Sequence, residues 1–535
     1  MVLQRSEPAD DDTLVKIRSP TSLEFRSGFG NLETSDRGYL PIHIGDILGD
    51  DSIGLFKILH KLGSGVHSAV WLAETLPSID RSSNIPRYVA LKIFSEKCTQ
   101  TSINSEIIEI IGKARSLDAV GSGLNHVLET FGQFTIPGSN GDHACVVMEL
   151  VGPPVRKLLK AEELCSKSVG LTAISHLAKA LLSLHSLDIV HGDLYPDNIA
   201  FQLPYDVQTL NVGQVYGAPE AFTANNYNDL VDRGFIESGL KIDEEDDEED
   251  DEENDEENDE ENDEEDDMDH DGECGEEDYH DENPEGCNEF VSDARSDSPA
   301  NSDDCPNEKH ALKPAKACTP RYYVLDADLS TMVPIILDNP TTVKLIDLTC
   351  SFRTSAIKDD TNIGTPLGFR PPEAIFSSEA RSLFSTGSDM WSFGCLIFEI
   401  ITGEPLFLLF ELFGQLPLVW WYVHFAEALG REDPVPAIFY DIIKAEHADL
   451  PSDANVLDYI ESDSWPEDFK GWYMRGRLQD RLDELKDKAR EVEGWTNEEV
   501  DCLCQIIKGT VRWDPKQRLT ARDVLDLLNN AGIIY

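Results

Sequence analysis

The sequence predicts an α+β chain whose strand-rich first part gives way to a mainly helical remainder, interrupted by a long acidic insert. Three observations carry this. Short apolar runs separated by turns fill the stretch from Ile53 to Met148, with a single segment of helical period among them. Beyond Gly152 the apolar spacing becomes helical, and it is helical again from the far side of the insert to Tyr535. From Asp243 to Asp267 every residue is Asp or Glu except Asn254, Asn258 and Asn262.

The elements follow in order. Residues 1–36 are polar and without periodicity, which predicts a flexible arm. The runs Phe56–Leu59, Ala69–Leu72, Tyr88–Ile93 and Ala144–Met148 read as strands, rich in β-branched and aromatic residues. Between the third and fourth, Ile107, Ile110, Ile111 and Ala114 recur at helical spacing, so residues 103–114 predict a helix. Leu171 to Leu184 is the clearest helix of the second part. After Phe201 the pattern is lost. Residues 206–320 combine the acidic run, an Asp-Glu-Glu-Asn repeat and a tail of Gly, Asn, Ser and Pro. Such a composition buries too little apolar surface to offset its ordering entropy, so the segment predicts a disordered spacer. Order resumes near residue 321, with Val343 to Ile346 a strand running into Asp347.

Composition narrows the function classes. The 535 residues carry a net charge of −58, much of it in the insert. That balance argues against direct binding of nucleic acid or anionic membranes, where Lys and Arg must neutralise phosphate, and favours basic partners. The 11 cysteines are odd in number and scattered, and the polar start from Met1 to Asp12 has no apolar leader segment. Free thiols in a reducing compartment are therefore expected. Cys502-Leu503-Cys504 lacks the second half of a zinc site. Pro405 to Tyr422 imitates a membrane span, but Glu411, Gly414, Gln415 and Pro417 interrupt it, so it reads as buried helices of a large lobe.

Several short motifs could carry chemistry. Leu62-Gly63-Ser64-Gly65 leaves one strand and Val70 enters the next. Two glycines let the backbone approach phosphates, and Val70 can roof an adenine ring; an ordinary hairpin turn is the plain alternative. Lys92 lies inside an apolar strand after Ala90 and needs a partner or a route to solvent. Glu106 on the expected helix is preferred to Glu109, because Ile110 shares its apolar face while Lys113 follows Glu109 by one turn. His191-Gly192-Asp193-Leu194-Tyr195-Pro196-Asp197-Asn198 holds an acid and an amide five residues apart. Such an Asp can orient a hydroxyl nucleophile and accept its proton, while the Asn can hold Mg²⁺. Asp347 offers a second metal-binding carboxylate. Gly364-Thr365-Pro366 with Arg370-Pro371-Pro372-Glu373, Ser388 to Cys395 and Arg518 add structural pieces, with Glu373 and Arg518 a candidate interior pair.

These signals occur in the order of the protein-kinase motif set, with the expected element types between them. The chain resembles that fold, an α+β bilobal protein-kinase fold with a small antiparallel lobe and a large helical one. More narrowly it resembles the serine/arginine-rich-protein kinases, in divergent fungal form. Three features carry this: the lead-in Arg37 to Asp46, the strand and hinge His143 to Gly152, and an insert between catalytic loop and metal Asp. Asn198 and Asp347 stand 149 positions apart. The resemblance implies a small lobe and hinge over 37–151, a large lobe over 152–205 and 321–535, and the spacer between. It implies ATP and Mg²⁺ as cofactors and Arg/Ser-rich basic proteins as substrates, in the regulation of mRNA splicing. It implies a monomer of cytoplasm and nucleus. In its terms Asp193 is the base, Lys92 contacts the ATP phosphates and pairs with Glu106, and Asn198 and Asp347 bind Mg²⁺. Leu62, Gly63, Ser64, Gly65, Val70 and Ala90 line the nucleotide, with Met148 as gatekeeper before hinge residues Glu149 to Val151.

Three residues depart from the pattern. Gly192 replaces an Arg or Thr, Tyr195 stands where a Lys reaches the transferred phosphoryl group, and Thr349 replaces a glycine. They motivate an alternative, a pseudokinase scaffold that binds nucleotide and recruits basic partners through the acidic insert. Retention of Lys92, Asp193, Asn198 and Asp347 favours a working enzyme. A small-molecule kinase is disfavoured by Arg370 to Glu373 and the helices beyond.

Overall fold

The computed structural model describes residues 2–4, 16–17, 39–65, 67–77, 85–98, 105–117, 121–138, 141–161, 166–210, 212–222, 323–376, 380–407, 418–430, 433–446, 477–492 and 494–533. The acidic run and most of the N-terminal arm lie outside them. All described residues belong to one compact unit made of residues 1–242 and 316–535.

The first part is an antiparallel sheet. β1 (Val2–Gln4) pairs with β3 (Ile47–Asp50), while β2 (Lys16–Ile17) lies elsewhere. β4 (Gly54–Ser64), β5 (Ser68–Thr75) and β6 (Tyr88–Phe94) follow, then helix α1 (Ser105–Ser116), β7 (Thr130–Gly138) and β8 (Gly141–Met148). The strand order is β1-β3-β4-β5-β6-β8-β7. Alternation across the strand decides what β6 shows to each side. Val89, Leu91 and Ile93 join Phe56, Ile58, Trp71 and Ala73 in the small-lobe core. Tyr88 and Ala90 face the other way, into the cluster shared with the large lobe. Lys92 has the parity of Ala90 and so points to the cleft. α1 packs through Ile107, Ile111 and Ala114, and Arg115 ties its last turn to the carbonyls of Leu124 (2.9 Å) and Val127 (2.8 Å).

The large lobe opens with α2 (Val155–Ala161) and α3 (Lys167–Ser186), the latter buried along its length. β9 (Ile189–Val190) and β10 (Ile199–Phe201) bracket the catalytic-loop motif. α4 (Val212–Tyr216) and β11 (Glu220–Phe222) come next, so the expected start of the spacer at 206 needs correction. Val207, Val215 and Tyr216 are buried, and the Gln208 side chain pairs with the backbone of Tyr88 in both directions (2.8 and 3.0 Å). A side-chain amide thus serves Tyr88 where β8 does not reach, a device with no periodic signature. The chain returns as β12 (Tyr323–Val324), α5 (Val333–Asp338), β13 (Val343–Leu345) and β14 (Phe352–Arg353). β10 pairs with β13 and β9 with β14, which sets the catalytic loop beside residues 346–351.

The remainder is helical: α6 (Pro372–Ile375), α7 (Thr386–Thr402), α8 (Leu418–Leu429), α9 (Ala437–Glu446), α10 (Leu478–Glu491), α11 (Asn497–Thr510) and α12 (Ala521–Asn530). α7 is the hub. Trp391 stacks on Phe407 (5.4 Å) and meets Phe425 edge-on (5.2 Å), and Tyr422 packs on Trp513 (5.8 Å). Both ends of the apparent membrane-like run thus pack into a core, while its middle, 408–417, lies outside the described residues. Among the described residues no helix is long and apolar enough to cross a membrane. Arg518 and Glu373, their side chains fully buried, meet through two contacts of 2.8 Å, the interior pair the sequence suggested.

Candidate active site

Cross-strand registers assemble the roof of the cleft. Val70 lies opposite Lys92, Leu72 opposite Ala90, and Ala90 opposite Met148. Leu62, Val70 and Met148 pack beside Ala90 at the edge of the shared core. The turn between β4 and β5 closes through Gly65 N–H to Ser68 O (2.8 Å). A Cβ on Gly63 would meet nothing within 4 Å, and one on Gly65 only Ser68 O at 3.9 Å. That open backbone suits a phosphate group, which glycine lets approach closely. At the hinge, Leu150 is buried while Met148, Glu149 and Val151 are half-buried. Glu149 has structural duties. Its amide donates to Glu129 O (3.0 Å), and its carboxylate takes Lys344 (2.8 Å) and the Glu129 amide (2.7 Å).

The floor is the loop between β9 and β10. Asp389 of α7 accepts the amides of His191 (2.8 Å) and Gly192 (2.9 Å) and the His185 ring (3.0 Å). Asn198 donates to Asp193 O (2.8 Å) and to Asp193 Oδ2 (2.7 Å). Asp193 Oδ1 is buried and has no hydrogen-bond partner. Burial, with the nearby Asp347 charge, pushes the Asp193 carboxyl above its ordinary value despite the Asn198 bond. One oxygen is thus fixed and the other is left to accept a proton.

Gly192 has a structural reason. It sits at φ 76°, and a Cβ there would come within 2.6 Å of Cys350 O. The glycine lets the loop press against residues 346–352, bound by Gly364 N–H to Gly192 O (2.8 Å) and Ser351 Oγ to His191 O (3.0 Å). Backbone contacts take over the tie that a longer side chain at 192 would make.

Asp347 stands in the left-handed region at φ 65°, a conformation aspartate tolerates. Its Oδ2 pairs with Lys92 Nζ at 2.6 Å. Its Oδ1 accepts the Thr349 amide (3.2 Å) and the Thr349 hydroxyl, which also takes Lys92 Nζ at 3.3 Å. Burial raises this carboxyl, but the Lys92 charge and these hydrogen bonds outweigh it and hold the pKa at about 2. Thr349 therefore adds a hydroxyl that caps Asp347, a role its identity alone did not announce.

The expected Lys92–Glu106 pair is not formed here, and this corrects the sequence reading. Glu106 turns to Arg353 of β14 (3.0 Å) and is 61% exposed. Arg353 also approaches Asp188 (3.7 Å), which accepts the Thr354 and Ser355 hydroxyls and the Ser355 amide (3.2 Å). Glu109 pairs with Lys113, as the spacing indicates. The cause is positional: Arg353 reaches the first turn of α1, and Asp347 offers Lys92 a nearer carboxylate. Arg353 and Asp188 carry no sequence signal: Arg353 lies in a short, mostly polar stretch, and Asp188 interrupts the apolar run Leu187 to Val190 with nothing in the sequence to name its partner.

Tyr195 packs against Phe369 (6.4 Å between centroids), and burial together with Asp193, Asp197 and Asp347 raises its hydroxyl far above the ordinary value. It is a neutral group among carboxylates. Arg156 of α2 lies close by, held by Asp197 (3.1 Å) and Glu399.

The donor set suits ATP with Mg²⁺. Magnesium takes oxygen ligands from one or two side chains together with substrate phosphates. Asp347 supplies a carboxylate, and Asn198, its NH₂ turned to Asp193, keeps a carbonyl oxygen for a cation. Lys92 occupies one Asp347 oxygen in this arrangement and competes for it.

Comparison with known proteins agrees with this geometry. The family described as protein tyrosine and serine/threonine kinase matches residues 56–213, and the protein kinase domain family matches 332–413. The first match holds Lys92, Glu106, Asp193 and Asn198, and the second holds Asp347, Glu373 and Asp389. Protein kinase dsk1 of Schizosaccharomyces pombe is 27% identical over 383 residues, 69% of this chain and 64% of that protein. The chain carries a protein kinase domain related to those of the SR-protein kinases. SRSF protein kinase 3 of Sus scrofa is 28% identical over 207 residues, 36% of this chain and 34% of the relative. Serine/threonine-protein kinase SKY1 of Saccharomyces cerevisiae is 28% identical over 174 residues, 31% of this chain and 22% of the relative. Each alignment thus spans less than two thirds of its relative, and the kinase domain here is a divergent one.

Proposed function

We propose that this protein is a serine/threonine protein kinase that phosphorylates basic, Arg/Ser-rich proteins, acting as a monomer with access to cytoplasm and nucleus. The observation that carries the catalytic reading is Asp193: one oxygen held by Asn198, the other buried, unpartnered and of raised basicity. An acceptor hydroxyl at Oδ1 is oriented and gives up its proton there as its oxygen bonds to the γ-phosphorus. The bond from that phosphorus to the β-γ bridging oxygen breaks, and ADP leaves. Bound Mg²⁺ supplies charge neutralisation on the phosphates. Asn198 and Asp347 would hold it once Lys92 releases Asp347 and turns to the phosphates. Asp389 keeps the loop in place, and the roof of Val70 and Ala90 excludes water from the adenine end. The basic substrate class rests on the names of the relatives and on the net charge of −58.

The test is incorporation of label from ATP into an Arg-Ser-repeat peptide with Mg²⁺, beside Asp193→Ala. Incorporation that falls by about 10²–10⁴ in the variant supports transfer with Asp193 as base. Equal silence of both proteins, with ATP still bound, would leave the scaffold reading. Two observations favour that second reading: the Lys92–Asp347 pair and the absence of a lysine at position 195.

A further inference from the structure

We propose that Tyr39 is a positioning residue for the phosphate-binding turn, setting the affinity for the phosphates rather than for the adenine. This deepens the kinase reading and rests on it. The Tyr39 hydroxyl donates to the carbonyl of Gly65 at 2.6 Å, across 26 positions of sequence. Tyr39 is 4% exposed although it precedes the whole β3–β8 part of the sheet.

The tyrosine is presented by a firm segment. Leu40, Ile42 and Ile44 belong to the small-lobe core. His43 N–H donates to Asp46 Oδ2 (3.0 Å), Gly45 N–H to Ile58 O (2.9 Å), and Ile58 N–H to Asp46 O (2.8 Å). Residues 40–46 are therefore sewn onto β4, the strand that leads into the turn. Tyr39 reaches from this anchor to the far end of that strand.

Gly65 needs such a contact. It is exposed, and space around its absent Cβ is nearly empty, so packing does not choose its conformation. Glycine also samples both halves of backbone space almost equally. Its N–H is fixed by Ser68 O, and the Tyr39 hydroxyl fixes its carbonyl. With both polar groups of Gly65 engaged, its own backbone conformation is held. The amides of the turn are then arranged before a phosphate arrives, and less ordering cost falls on binding. A core phenylalanine would fill the same space without this effect.

The experiment compares wild-type protein with Tyr39→Phe, which keeps the ring in the core and removes only the hydroxyl. Binding of Mg²⁺-ATP and of adenosine is measured by calorimetry on the full chain. The expected result is ATP affinity weakened about three- to tenfold, the scale of one neutral hydrogen bond, with adenosine affinity unchanged. In turnover, KM for ATP rises by a similar factor while kcat changes less. Equal weakening of ATP and adenosine, or of neither, overturns the proposal, because a merely structural role does not separate the two ligands. A wild-type protein that binds neither overturns the kinase reading, and this one with it.

Discussion

His191 and Gly192 give their amides to Asp389, a carboxylate 2% exposed inside α7, and Asn198 locks Asp193 from within the same loop. Across the cleft, Glu106 stands 61% exposed against an Arg353 that is itself 35% exposed, and Lys92 has taken Asp347 instead. The floor is made of buried hydrogen bonds, with Asp389 serving three donors and Asn198 two oxygens of Asp193. The opposite wall rests on one exposed ion pair, Glu106 with Arg353, while Lys92 is turned to the half-buried Asp347. Breaking a buried ion pair costs several kcal/mol, whereas exposed pairs contribute about 0.2–1 kcal/mol. The two halves of one site thus differ in how readily they rearrange: the floor is fixed, and the Glu106–Arg353 contact of the small-lobe wall can be reset by a modest change in free energy.

Four variants probe that contrast. Arg518→Ala strands Glu373 in the core beneath the floor and is expected to destabilise the fold by about 3–5 kcal/mol in denaturant titration. Less than 1 kcal/mol would show that the floor is not held as described. Tyr195→Lys places an ammonium group among Asp193, Asp197 and Asp347, and kcat on a basic peptide should rise by up to about 10²-fold. No gain would mean that Arg156 or another cation already serves the phosphoryl group. A milder effect concerns pH. On the proposed reading Asp193 must be ionised to accept a proton, so kcat is expected to fall as pH drops through its raised value. Asn198→Ala removes a hydrogen bond that favours the carboxylate and should move this acid limb to higher pH; a shift downward would contradict the assignment. Arg353→Ala frees Glu106 for Lys92, and kcat/KM should increase by at most about fivefold, matching the weakness of an exposed pair. A loss of activity there would show that Arg353 supports the working state.

The sequence disclosed what depends on local pattern. The apolar run from Tyr88 to Ile93 read as a strand with Lys92 inside it, and the structure places Lys92 in β6 (Tyr88–Phe94). The spacing of Ile107, Ile111 and Ala114 located α1, and the order of loops brought Asp193, Asn198 and Asp347 together. Partner choice was not legible. Whether Glu106 meets Lys92 or Arg353 depends on where β14 passes α1, and that is set by pairing between β9 and β14, 163 positions apart. Gly192 looked like a lost side chain because sequence does not show the backbone of Cys350 occupying that space. The ordered stretch up to residue 222 was missed because its buried residues Val207, Val215 and Tyr216 follow no regular period, and Gln208 adds its hold through an amide.

β11 and β12 run antiparallel, with Ala221 opposite Val324 and Phe222 opposite Tyr323. The chain therefore leaves the kinase domain and re-enters it at the two sides of a single ladder. The insert is joined to the domain through these two strands. The cost of closing a loop grows only with the logarithm of its length, about 0.6 kcal/mol for each doubling. The ladder is a seam at which sequence can be added, lost or rewritten over generations while the domain beneath it keeps its shape.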